Sequence, residues 1–173
     1  MLKNQNKFLL NKRLEILKFF KKSIKRNGLR SDTIKLMSND YDINENEINL
    51  LFPQGNSNII KFTLDQLNND LEKYCKKLNL IKLPLHKRIK QILLCKILLM
   101  DKEKDFYRKI FLSILLPKKN FSISNQLYSS VNQIWIIAGD TSVDFNYYTK
   151  RLILAGIYTR VLLFFFNNNN QDK

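Results

Sequence analysis

An all-α bundle is the architecture expected of this 173-residue chain. Four Gly and three Pro are too few to punctuate a turn-rich β fold. Apolar residues recur at helical spacing, as in Leu10, Leu14, Leu17 and Ile24. They make up 45% of the chain, which excludes intrinsic disorder and gives one domain a real core.

The elements follow in order from stop and start signals. The first helix runs from about Phe8 to Asn27 and stops at Gly28, a C′ glycine. A short helix spans Asp32 to Asn39, capped by Ser31 or Asp32. A second short one begins at Asn44 and ends before Pro53 and Gly55. A long helix covers Ser57 to Leu78, and Pro84 opens the next, to about Met100. Lys104 to Leu116 is helical until Pro117, Ser124 to Ala138 follows, and Asp144 to about Phe166 is last. This divides the chain into a head (1–56), a helical bundle (57–166) and a disordered tail (167–173), the whole forming one unit.

The formal net charge is +15, a field that attracts nucleic acid or an anionic membrane. Only seven of the 30 basic residues are Arg, and the abundance of Lys, Asn and Ile matches AT-rich codons. The charge therefore reads equally well as drift on solvated faces. Cys75 and Cys95 form no CxxC pair and read as small core hydrophobes in a reducing compartment. His86 is the one histidine, so no His/Cys zinc cluster is expected, and no cofactor is implied. No apolar run reaches the roughly 18 residues of a membrane span. The longest, Leu152 to Phe166, is broken by Arg160. No Gly-rich phosphate loop and no credible nucleophile–base pair is present, so the chain reads as non-enzymatic.

Helix, short helix, turn, short helix, then a long helix is the plan of TetR regulators. Ile34, Met37, Ile43, Leu51 and Phe52 sit where a three-helix head needs its core. The candidate recognition element is DYDINENEINLLF, with Asp40, Asp42, Glu45 and Glu47 and neither Lys nor Arg. Carboxylates facing a polyanion repel it, so the head is expected to be degenerate and not to bind nucleic acid. A TetR-type transcriptional regulator with a hydrophobic ligand pocket is the alternative reading, and it requires DNA binding.

The window Trp135 to Arg151, WIIAGDTSVDFNYYTKR, is the least generic part of the chain. Gly139 ends one helix, and Thr141-x-x-Asp144 has the form of a capping box for the next, with Asp140 or Ser142 able to share that duty. In the last helix Phe145, Tyr148, Leu152, Ala155 and Leu163 share a face that reads as a core stripe. Tyr147, Arg151, Leu154 and Tyr158 share another, with the composition of an interface hot spot. Two core stripes with a snorkelling Arg151 would account for the same pattern.

The run Trp135, Ala138-Gly139-Asp140, Ser142, Asp144-Phe145-Asn146-Tyr147-Tyr148-Thr149-Lys150-Arg151, Leu154-Ala155 and Tyr158 resembles the signature of the accessory lipid-binding proteins of ubiquinone biosynthesis. The resemblance is strong over about 130–163 and weak but collinear before it. It implies a TetR-like all-α fold without DNA binding and a non-catalytic role. The expected ligands are isoprenoid quinone intermediates and phospholipid, held in an apolar hollow near the Gly-Asp corner. The expected protein partner is the demethoxyubiquinone hydroxylase. Carried over by position, Arg151, with Tyr148, Trp135 and Leu152, would meet lipid, Arg151 at its head group. Asp144, Tyr147, Tyr148, Leu154 and Tyr158 would face the partner.

Tyr147 stands where the family usually has Trp. Family members also continue into an amphipathic membrane helix, whereas this sequence stops soon after Phe166. Attachment to an anionic membrane surface is therefore expected through the basic surface or Phe164-Phe165-Phe166. The expected place is the bacterial cytoplasm at the inner membrane, with the mitochondrial matrix side as the alternative. Oligomeric state stays open, a homodimer included.

Overall fold

The structure is a computed structural model that describes residues 2–115, 122–143 and 145–168. Its helices are α1 (Leu2–Asn27), α2 (Thr33–Tyr41), α3 (Glu45–Leu51), α4 (Asn56–Lys76), α5 (Leu85–Asp101), α6 (Lys104–Leu115), α7 (Ser122–Ala138) and α8 (Phe145–Asn167). A single 3-10 turn, Leu80–Lys82, precedes α5 and was not anticipated. The protein is all-α, with no strand among the described residues. Pro117, Asp144 and most of the Asn-rich tail lie outside those residues.

Several ends form as their residues dictate, but Asp32 makes no side-chain cap bond to α2, and the Thr33 hydroxyl takes the Arg30 N–H at 2.8 Å instead. Gly28 adopts φ 75° and its N–H reaches Ile24 O at 2.9 Å, closing α1. Asp42 closes α2 at φ 52°, a left-handed position that Asp tolerates better than most residues. The Asn44 side chain accepts the Asn46 N–H at 2.9 Å and caps α3. The first helix starts earlier than its apolar pattern suggested, and Phe8, Leu9 and Leu10 on its leading turns are exposed. The stripe becomes core only from Ile16 and Leu17 onward.

In the head, α2 and α3 pack on α1. Met37, Leu51 and Phe52 are buried there as expected, and Ile34 and Ile43 pack on them half-buried. Arg13 of α1 donates to Leu51 O at 2.9 Å and lies over the Phe52 ring, covering the end of α3. Lys12 pairs with Glu47 at 3.4 Å, so one α3 acid is balanced by the basic first helix. In the bundle, α4, α5 and α7 pack on one another, α8 lies against α7, and α6 reaches back to α1. One contiguous set of buried side chains runs from Ile16 to Phe166 through head and bundle. Cys75 and Cys95 are buried free thiols within it. Burial, with Cys95 beside it, pushes the Cys75 thiol up to about 12.

Candidate functional site

Gly139 builds the corner between α7 and α8. At φ 83° its N–H bonds Ile136 O, and the Asp140 N–H bonds Trp135 O, both at 3.0 Å. This 6→1 and 5→2 pairing is a Schellman turn, and it needs a residue at ease with positive φ. Arg88 of α5 fixes the same end from outside. It donates to Ala138 O at 3.1 Å, and to Leu83 O and Ile81 O at 2.7 and 2.9 Å.

The turn leaves the Asp140 carboxylate facing α8. Lys150 donates to its Oδ1 at 2.9 Å, Ser142 donates to the same oxygen at 2.8 Å, and Arg151 donates to Oδ2 at 3.2 Å. Burial opposes ionisation of Asp140, but the donors outweigh it and hold the carboxyl below its ordinary range. Arg151 also donates to Asn132 Oδ1 at 2.8 Å and to Tyr147 O at 3.0 Å, and its guanidinium lies 3.3 Å from the Tyr147 ring centroid. Tyr147 donates to Asn132 at 3.3 Å and accepts from Tyr128 at 3.2 Å. Arg151 is only 3% exposed, so this is an internal strut. The capping box involves Asp144, outside the described residues; Asp140 and Ser142 serve the Lys150 pair.

Beside the corner, α5 and α8 enclose an open-sided cavity of about 550 Å³, within the size range of small-molecule sites. His86, Ile89, Lys90, Leu93, Leu94 and Ile97 of α5 form one wall. Lys150, Ile153, Leu154, Ile157 and Val161 of α8 form the other, with Trp135 of α7 at the end. The surface inside is almost wholly apolar. Lys150 lies 5.5 Å from the Trp135 ring and spans the gap between corner and cavity.

The faces of α8 are the reverse of the sequence expectation. Phe145, Tyr148, Leu152 and Leu163, read as core, are exposed, Phe145 and Leu152 to 81% and 76%. Leu154 and Tyr158, read as a partner face, are buried with Arg151, and Tyr147 is half-buried. The physical reason is Asp140: with both faces greasy, the helix turns the one carrying Arg151 toward its counter-ion. Of the residues expected at lipid, only Trp135 lines the cavity. Arg151 is held in the corner, and Tyr148 and Leu152 lie on the outer surface. Of the expected partner residues, Tyr148 is exposed beside Tyr147, while Asp144 falls outside the described residues. Of the terminal phenylalanines only Phe164 is exposed; Phe166 is buried. Lys150 and Arg88 were missed. Lys150 had a signal, since neighbouring cations on a helix point about 100° apart and cannot share one role.

Residues 122–173 match the COQ9 family model. Over this segment the chain is similar to the COQ9 family. It is 45% identical over 62 residues to the mitochondrial ubiquinone biosynthesis protein COQ9 of Rattus norvegicus, a stretch covering 35% of this chain and 20% of the rat protein. The COQ9 of Homo sapiens is 42% identical over 62 residues, with the same 35% and 20% covered. A probable COQ9 of Dictyostelium discoideum is 36% identical over 56 residues, covering 32% of this chain and 18% of that protein. The aligned region thus spans about a fifth of these curated relatives. No solved structure matches the chain. The COQ9-like segment contains the whole corner and the α7 and α8 side of the cavity; the α5 wall lies before it.

Proposed function

We propose that this protein serves ubiquinone biosynthesis as a non-catalytic lipid-binding accessory. In this reading it takes an isoprenoid quinone intermediate or phospholipid into the α5–α8 cavity and presents the head group to the hydroxylase that modifies it. The observation that carries the reading is the apolar cavity, half of whose wall comes from the COQ9-like segment. Its lining can cover a prenyl tail, and Lys90 and Lys150 supply cations at its wall.

Two further features support it. The outer face of α8 exposes Phe145, Tyr148, Leu152 and Leu163, with Leu98 exposed on α5. An apolar surface of this kind marks a protein or membrane contact. The net charge of +15 draws the molecule to an anionic leaflet, at about 1 kcal/mol for each well-placed cation. No described helix is long and apolar enough to cross a membrane, so attachment in this reading is peripheral. The mitochondrial names of the relatives favour the matrix side of the inner membrane over a bacterial cytoplasm.

Mass spectrometry of lipids that co-purify with the protein tests the proposal. A quinone intermediate is expected with the wild type and is expected to be lost in Ile157→Arg, which puts a cation into the cavity at a half-exposed position. Equal recovery from both proteins, or bulk phospholipid alone, would count against it.

A further inference from the structure

Behind the cavity lies a lysine that the corner and the lipid reading leave unused. Lys96 sits in the middle of α5 and is fully buried, 0% exposed. Its ammonium donates to one neutral acceptor, Asn68 Oδ1 of α4, at 2.8 Å, and stands 5.2 Å from the ring of Tyr158 of α8. The Tyr158 hydroxyl is also buried and has no hydrogen-bond partner among the described residues. No carboxylate of the described residues lies within 4.0 Å of Lys96. One neutral acceptor and one aromatic face are a poor substitute for the water shell of a charged amine.

The nearest carboxylates along α4 make no bridge to Lys96: Glu72, one turn from Asn68, pairs with Lys76 at 2.8 Å and accepts from Gln133 at 3.3 Å, and Asp65 lies a turn the other way, half-buried. Across from Lys96, α4 presents Asn68 and the buried thiol of Cys75, and Cys95 precedes it on α5. From α8 comes Tyr158, and Tyr107 of α6 faces Tyr158; burial is the leading cause holding both phenols protonated. The α7 sequence contains no charged residue or histidine. Position matters as much as environment. Leu93, Leu94 and Ile97, which flank Lys96 on α5, line the cavity, and Leu154, Ile157 and Val161, which flank Tyr158 on α8, line the other wall. The Lys96–Tyr158 contact is therefore the dry seam joining the two helices that enclose the cavity.

We infer that Lys96 is a proton-sensitive latch on the apolar cavity. With a neutral amine the α5–α8 seam stays dry and the cavity holds apolar ligand; a charged amine draws water into the seam and releases it. Burial alone pushes the Lys96 ammonium down to about 7, so the two states exchange near neutrality. By linkage, an apolar ligand that binds the dry state favours loss of the proton, and protonation weakens binding by the same factor. The latch rests on the lipid-cavity reading, but it predicts a response without any lipid.

The chain has one tryptophan, Trp135, at the end of the cavity. Its emission in the free protein reports on the seam, and Nile red, a neutral dye, reports on binding. Between pH 8.5 and pH 6 the dye affinity is expected to fall about fivefold, which is what about one unit of pKa coupling gives over that interval. The Trp135 emission is expected to move to the red with the same midpoint. Both responses should be flat in Lys96→Met and in Lys96→Gln, the latter keeping a polar group if the former does not fold. His86 lines the cavity, so His86→Gln is read by the emission of the free protein and by the ratio of its dye affinities at the two pH values, both of which should match the wild type. A pH response that survives in both Lys96 variants, or that disappears in His86→Gln, overturns the latch. If the dye binds at no pH, the cavity reading fails. The emission of the free protein then decides: a shift lost with Lys96 supports the latch, and a profile flat from pH 6 to 8.5 overturns it.

Discussion

Asp140 does at residue scale what its neighbours in sequence cannot. It sits one residue past the turn glycine, where its main chain closes α7 and its side chain meets two cations of α8. Removing one partner of a buried pair leaves the other charge uncompensated, at about 3–5 kcal/mol. Asp140→Ala should lower stability by about that amount, measured by urea unfolding. The exposed Lys73–Asp70 pair should give a double-mutant coupling of about 0–1 kcal/mol. The pH dependence of the corner follows from sign. The Asp140 carboxyl is depressed in the fold, so its stabilisation is present above the unfolded value near 4 and is lost as pH falls through the lower folded value. Wild type and Asp140→Ala should therefore converge in stability under acid.

At the scale of elements, α8 carries three stripes. One buries Arg151, Leu154, Tyr158, Leu162 and Phe166; a second lines the cavity; a third is exposed at Phe145, Tyr148 and Leu152. Leu154→Ala should cost about 2–5 kcal/mol and Leu152→Ser should change stability within about 0.5 kcal/mol. The opposite order in thermal unfolding would return α8 to the orientation its sequence first suggested. Helix positions were legible because Gly28, Asn44, Pro84 and Gly139 are local signals whose physics needs no neighbours. The facing of α8 was not legible, because apolar residues surround the helix and periodicity cannot choose among greasy faces.

For the whole molecule, the buried lysine and the surface charge act at different ranges. Lys96 is pushed down to about 7 in the fold and titrates near 10.4 when unfolded. Between those values the unfolded chain holds more protons, so stability from this group rises with pH across that window. The penalty is present in full below about pH 7 and amounts to about 3–5 kcal/mol. Lys96→Met should therefore be more stable than wild type at pH 6, with the difference shrinking toward pH 10, as read by denaturant midpoints. The surface charge acts outward. If peripheral attachment is electrostatic, co-sedimentation with vesicles containing phosphatidylserine should fall steeply as salt rises from about 0.05 to 0.5 M, as the Debye length shortens.

Residue order alone determined that this chain would be helical, where most of its helices end, and that 135–151 is its distinctive segment, because caps, breakers and a dense motif act over a few positions. Packing decided which cation of the Lys150–Arg151 pair would be locked in a corner and which would border a cavity. It also decided that Lys96, one among many lysines in the sequence, would lose all contact with water. Those outcomes depend on what α4, α5 and α7 bring to α8 from distant parts of the chain. No local pattern encodes a counter-ion eleven residues away or a dry seam between residues 96 and 158.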